Sequence, residues 1–422
     1  MINPKRDPKA TDGRASWYPY YAGFSPQFVS HVLQSSRLSP AAFVADPWNG
    51  AGTTTTVAQA EGFRTWGGDA NPAMVIVARA KQVSAKQLAL SKDAFETILA
   101  SRSSRFPAIH SKDPLLGLLP PGPAAEIRSI ERSLRNLCAE WGYFPEIPEE
   151  MRPEFALMYL TLFRAARGLA KGSKTKNPTW HKSSSNELVE LSSETARAEI
   201  VAIWKSLSSE VARCATNFGT GTLSASLSQE IPLKDAAVDL ILTSPPYCTR
   251  IDYVVSTTPE LAVLGLNERA FDSLRRSLMG TTTVEKKIGD IDERWGASCC
   301  TFLNSVRSHP SKASSTYYLK SHIQYFKGLF KSIEECCRIL RCGGAAVFVV
   351  QDSEYKGIRN DLASITVEMF ESFGLECTGR DDFEKRISMR SLNSASKMYA
   401  SGASPVESVL TFKKQGGNHG FD

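Results

Sequence analysis

Residues 42–56 read AFVADPWNGAGTTTT. An apolar run ends at Asp46, a turn containing Gly50 and Gly52 follows, and a helix is expected to begin near Thr53. Glycine has no Cβ, so such a turn bends sharply and lets a ligand approach its backbone. About fifteen residues on, TWGGDANP (65–72) reads as a second strand ending in the acid Asp69, with Asn71 just beyond it. An acid at the tip of the strand after a glycine turn is placed to accept hydrogen bonds from ribose hydroxyls. The turn is neither Gly-x-Gly-x-x-Gly nor a Walker A loop, which argues against a dinucleotide pyrophosphate or ATP phosphates. A nucleoside without phosphates fits better, and S-adenosylmethionine is the obvious one. Asp69 as a helix cap and Asp46 as a turn-former are the plainer alternatives.

Far downstream, VDLIL (238–242) runs straight into TSPPY (243–247). Two consecutive prolines continue neither a strand ladder nor a helix, so they impose a rigid loop. That loop sits at the carboxyl end of a strand, where open α/β sheets bind their ligands. It offers the Ser244 hydroxyl, the carbonyls of Pro245 and Pro246, and the flat ring of Tyr247. These groups suit a planar ring bearing an amino group.

The segments DPWNGAGT (46–53) and TSPPY (243–247) together resemble the two principal motifs of amino-type DNA methyltransferases, especially the N4-cytosine kind. WYPYYAGFS (17–25), RIDY (250–253) and GGAAVFVVQD (343–352) resemble further segments of that family. The resemblance implies a cofactor site of Asp46, Pro47, Trp48, Gly50, Gly52, Thr53, Asp69 and Asn71, with Tyr20 closing over the methionine end. It implies a catalytic loop of Ser244, Pro245, Pro246 and Tyr247; the spacing of the cysteines and histidines, for its part, leads to no metal being expected. The resemblance also implies double-stranded DNA as partner, with the target base flipped out of the helix. An N6-adenine enzyme is the alternative within the family, although Asp or Asn more often stands at the Ser244 position there. RNA and protein-glutamine methyltransferases also usually carry Asn or Asp at that position. The acid that usually lies near the cofactor's adenine is absent from TLSASL (222–227). Either a serine hydroxyl of this stretch takes over, or the adenine contacts come from elsewhere; the absence also leaves open a nucleic-acid-binding homologue with weak or no catalysis. A restriction endonuclease or defence-system partner is also left open.

The expected fold is a doubly wound, mostly parallel seven-stranded α/β sheet of Rossmann-like type, with an antiparallel strand at one end. The chain divides into a flexible arm (1–16), a first sheet segment (17–81), a helical insertion (82–220), a second sheet segment (221–412) and a loose tail (413–422). Apolar residues recur at three- and four-residue spacing over 124–141 and 154–168. Residues 259–320 read as irregular and basic. Both this stretch and 82–220 are expected to touch DNA. The basic stretch 171–182, with Lys174, Lys176, Trp180 and Lys182, is the foremost candidate, because lysines hold phosphates and aromatics stack bases. A solvated loop is the plainer reading of it.

Composition is that of an ordinary globular chain: 422 residues, 42% hydrophobic, 22% charged, net charge +6. No apolar run reaches the ~18 residues of a membrane span, and the first residues lack a signal peptide's apolar core. A cytoplasmic protein is therefore expected. The nine cysteines show neither zinc spacing nor a Pro-Cys dipeptide. The usual nucleophile of C5-cytosine methylation is thus missing, and Cys248 reads as filler.

Overall fold

The computed structural model describes residues 1–5, 13–18, 23–101, 109–170, 191–214, 218–248, 251–384 and 405–415. The first half alternates strand and helix: α1 (Pro26–Ser35), β1 (Phe43–Asp46), α2 (Thr53–Ala60), β2 (Arg64–Gly68) and α3 (Pro72–Ala80). Helices α4 (Ala85–Ala100), α5 (Pro121–Glu140), α6 (Pro153–Leu169) and α7 (Ser193–Arg213) then precede β3 (Gly221–Ser224) and β4 (Val238–Thr243). Three more helices follow: α8 (Thr258–Val263), α9 (Glu268–Ser277) and α10 (Ala297–Ser308). The chain continues with α11 (Leu319–Ile339), β5 (Leu340–Gln351), the hairpin β6 (Ser353–Tyr355) and β7 (Ile358–Asn360), and α12 (Leu362–Glu371). It closes with β8 (Leu375–Glu384) and β9 (Val406–Lys414).

Seven strands form one sheet in the order β3-β2-β1-β4-β5-β9-β8. The pairs from β3 to β5 are all parallel, and β9 runs antiparallel to both β5 and β8. This is the doubly wound α/β class expected, with one refinement. The reversed strand lies one place in from the edge rather than at it. Strand order turns back between β1 and β4, so their carboxyl ends border the crevice where such sheets take ligands. Side chains alternate across the sheet. Val44, Leu240, Leu242, Val347 and Val349 pack with α1 on one face, while Ala45, Ile241, Ala346, Phe348 and Val350 pack with α10, α11 and α12 on the other.

The helices over 85–213 do not stand apart from the sheet. Helix α6 is buried on every side through its largely apolar stretch 155–163, the pattern of a helix surrounded by protein. Its buried residues join one cluster with Met74, Ile76 and Val77 of α3, Leu261 and Val263 of α8, and Trp17 and Tyr18. Two sequence expectations are corrected. Residues 259–320 are mostly helical, not irregular. The arm expected over 1–16 is anchored where it is described: Lys5 bridges Phe24, and the buried Arg14 guanidinium donates to the Lys81 carbonyl at 2.8 Å. The stretch 171–182 and Tyr20 lie outside the described residues. Among the described residues no helix is long and apolar enough to cross a membrane, and no cluster of metal-ligating side chains occurs.

Candidate active site

Strand β1 delivers Asp46 to the crevice with its carboxyl almost fully buried, at 3% exposure. The Thr243 hydroxyl at the end of β4 donates to Asp46 Oδ1 at 2.5 Å, and the Trp48 N–H donates to the same oxygen at 3.1 Å. The acid of the glycine turn is thus tied to the residue immediately before Ser244. Burial pushes the Asp46 carboxyl up to about 6, against the pull of those donors.

The turn itself needs its glycines for different reasons. Gly50 and Gly52 both have positive φ, 47° and 77°. A Cβ on Gly52 would stand 2.6 Å from the Ala78 Cβ on α3. The close approach here is to a helix of the protein rather than to a ligand. Neither glycine borders the crevice; Asp46, Pro47, Trp48, Asn49, Ala51 and Thr53 do. Asp69 follows β2, and both its oxygens face backbone donors: Gly50 N–H at 3.0 Å and Asn71 N–H at 2.8 Å. Burial is the main cause that lifts its carboxyl to about 6, and the nearby Asp46 charge adds to it. Asn71, not Asp69, caps α3, accepting from Ala73 N–H at 3.0 Å, and its amide donates to Thr257. Asp69 and Asn71 both border the crevice.

Opposite this wall stands the Ser-Pro-Pro-Tyr loop. Ser244, Pro245 and Pro246 line the same crevice. The Pro246 carbonyl accepts from the Tyr325 hydroxyl of α11 at 2.7 Å, and the Ser244 hydroxyl is hydrogen-bonded to the Tyr247 side chain. Tyr247 does not line the crevice. Its hydroxyl donates to Glu407 Oε1 on β9 at 2.8 Å, which fixes the half-buried ring from its far end. Burial and the Glu407 carboxylate raise the Tyr247 hydroxyl well above its usual range, so it stays protonated. Cys248 is buried, with its thiol pushed up to about 12 by desolvation, and is unsuited to nucleophilic attack.

Sequence reasoning missed several residues of this site. Gln229, Leu278 and Met279 line the crevice although no sequence signal singled them out; Gly23 and Phe24 of the segment 17–25 and Ser226 of TLSASL line it too. Ser226 falls in the stretch that lacks the usual acid, and its hydroxyl is buried without a hydrogen-bond partner. Tyr253 borders the crevice and accepts from the Tyr247 N–H at 3.4 Å. Asp252 turns away: it is buried and accepts from the Arg275 guanidinium at 2.7 Å. Trp17 and Tyr18 belong to the core, and the Tyr18 hydroxyl is held by Arg167.

The chain is similar to proteins named Type II methyltransferases. It is 30% identical over 152 residues to Type II methyltransferase M.AvaI of Nostoc sp. (strain PCC 7120), an alignment covering 32% of this chain and 30% of that one. The same figures hold for M.AvaI of Anabaena variabilis. To Type II methyltransferase M.BsoBI of Geobacillus stearothermophilus it is 23% identical over 312 residues, covering 64% of this chain and 56% of that one. The chain therefore spans between about a third and just over half the length of these relatives. No family model matches it. Among solved structures, the [4+2]-cyclase SpnF aligns with TM-score 0.34 at 10% identity over 93% of this chain and 82% of that one. The YcgJ protein from Bacillus subtilis aligns with TM-score 0.33 at 8% identity over 93% and 100%. The fold assignment rests on strand order and direction, not on these two.

Proposed function

We propose that the chain is a DNA methyltransferase that uses S-adenosylmethionine to methylate the exocyclic amino nitrogen of a flipped base, cytosine N4 before adenine N6. One observation carries the proposal above the others. The Thr243–Asp46 hydrogen bond joins the glycine turn and the Ser-Pro-Pro-Tyr loop at adjacent strand tips, so both face one crevice. The Type II methyltransferase relatives support the same reading.

The crevice suits the cofactor. Asp69 would accept from the ribose hydroxyls, and the unpartnered Ser226 hydroxyl would take the place of the missing acid beside the adenine. Trp48 and Phe24 supply apolar wall. When bound, the cofactor supplies an electrophilic methyl group. The protein's own part is positional. Ser244 and the Pro245 carbonyl accept the two amino hydrogens of the base, which draws the nitrogen's lone pair out of ring conjugation and aims it across the crevice. Tyr247 stands just outside the crevice lining, held by Glu407, and would supply the ring against which a base presented beside the loop lies. Such a step needs no covalent intermediate, and its rate comes from orientation and fixed dipoles. The proton released on transfer passes to solvent.

Asp69→Ala is expected to weaken cofactor binding by about 1–3 kcal/mol, the value of hydrogen bonds lost to neutral hydroxyls, in a folded protein. Its carboxyl protonates near pH 6 rather than near 4. A protonated carboxyl accepts fewer bonds, so wild-type affinity should fall as pH drops through about 6, and the Asp69→Asn variant should show a flatter profile. Titration calorimetry from acid to neutral pH measures both. Unchanged affinity in the alanine variant would remove Asp69 from the site.

A further inference from the structure

A second cleft opens beside the first, and Leu227, Gln229, Leu278 and Met279 line both. The partition between them is the segment that follows α9. Gly280, at φ 79°, lies so close to the catalytic loop that a Cβ there would meet Pro246 Cβ at 3.3 Å. Behind the partition, α11 carries Tyr325, whose hydroxyl holds the Pro246 carbonyl. The second cleft thus shares a wall with the loop that would present the target base.

Its charged lining is lopsided. Arg276 on α9 faces Lys327 and Lys331 on α11, with Glu285 as the sole acid among the lining residues. All three cations are exposed. Their neighbours are committed elsewhere: Arg275 pairs with Asp252, and Glu335 pairs with Arg338. Among the described residues no ion pair within 4 Å is found for Arg276, Lys327 or Lys331. Lys327 and Lys331 stand four residues apart, on one face of the helix, where like charges repel. An anion in the cleft would relieve that repulsion. The far wall begins with a π-helical turn, Ser314–Tyr318, a distortion frequent at functional sites. It sets Tyr317 and Tyr318 edge-to-face at 5.2 Å against the cleft.

We infer that this second cleft carries the phosphodiester backbone of the DNA strand flanking the target base, with Arg276, Lys327 and Lys331 making the ionic contacts. The inference rests on the reading of the chain as a DNA methyltransferase, and it moves the principal DNA contact from the basic stretch 171–182 to α9 and α11. These cations would position the strand; none touches the reacting atoms.

The test compares the triple variant Arg276→Gln, Lys327→Gln, Lys331→Gln with a control triple, Lys86→Gln, Lys112→Gln, Lys205→Gln, on the helical block. Binding of a short mixed-sequence DNA duplex is followed by fluorescence anisotropy over a range of salt concentrations. Cofactor affinity by calorimetry reports whether each variant is folded. Loss of three phosphate contacts should make the slope of log K against log salt shallower by about 2–3. Low-salt affinity should fall at least about tenfold, while cofactor affinity stays as in wild type. The control triple should keep the wild-type slope. An unchanged slope in the cleft variant, or a loss confined to the control triple, overturns the inference. If the wild type methylates DNA and the cleft variant does so with an unchanged KM for DNA, only the inference falls. If the wild type neither binds nor methylates the duplex, the functional reading falls and the inference with it.

Discussion

Tyr247→Ala is expected to lower the rate of methyl transfer roughly ten- to hundredfold while leaving cofactor affinity close to wild type. Stacking of a base on an aromatic ring contributes about 1–3 kcal/mol, and losing the ring also frees the amino group to leave the line of transfer. The structure adds a finer contrast. The Tyr247 hydroxyl donates to Glu407 on β9 and is also hydrogen-bonded to the Ser244 side chain. Tyr247→Phe keeps the ring but leaves the buried Glu407 carboxylate short of a donor. That should cost about 1–3 kcal/mol of stability and a smaller share of the rate. Single-turnover kinetics on a DNA duplex, with cofactor affinity measured separately, would divide the two effects. Equal loss of rate in the alanine and phenylalanine variants would mean that the hydroxyl, not the ring, matters, and would sink the stacking role.

Gly52→Ala is expected to destabilise the protein by several kcal/mol and to abolish cofactor binding under conditions where the wild type binds. Two costs coincide at this position. The residue adopts φ 77°, which costs a residue with a Cβ about 1–2 kcal/mol. The new Cβ would also stand 2.6 Å from Ala78 Cβ on the opposite helix. Overpacking of that kind costs about 1–3 kcal/mol, and it would force α2 away from α3 and carry the turn with it. Gly62→Ala separates the two costs. Gly62 has φ 91° but nothing within 4 Å of a built Cβ, so it should show the backbone cost alone. Urea unfolding of the two variants makes the comparison. Equal destabilisation would mean that the contact with Ala78 is slack and that the turn tolerates a side chain.

What could be read from the chain was what short-range covalent constraint imposes. A Gly-Ala-Gly turn after an apolar run, and two prolines after another, allow few backbone paths, so both loops lie at strand ends as expected. Most of the expected cofactor and catalytic residues border one crevice, with Gly50, Gly52 and Tyr247 outside its lining. What could not be read is what distant segments do to each other. Thr243 and Asp46 are 197 residues apart, Tyr247 and Glu407 are 160, and no local pattern announces either bond. The place of the reversed strand β9 between β5 and β8 is likewise a matter of long-range pairing.

The stretch 259–320 is a different case, because part of its signal was present. Cys299, Phe302, Leu303 and Val306 follow helical spacing and are the buried face of α10. Helix α9 gave less to read: none of its residues is fully buried, and it meets the core only through the partly buried Phe271 and Leu274. The Arg275–Asp252 pair, across 23 residues, ties it to the segment that follows the Ser-Pro-Pro-Tyr loop.

The central claim is amino-directed methyl transfer to DNA through the Ser-Pro-Pro-Tyr loop. The most direct measurement is the nucleoside composition of DNA incubated with the purified protein and S-adenosylmethionine, resolved by chromatography with mass detection. N4-methylcytosine is the product expected, and Tyr247→Ala should slow its formation. N6-methyladenine would change the base and keep the chemistry. The account is contradicted by 5-methylcytosine, or by the absence of any methylated nucleoside from a folded, cofactor-binding protein.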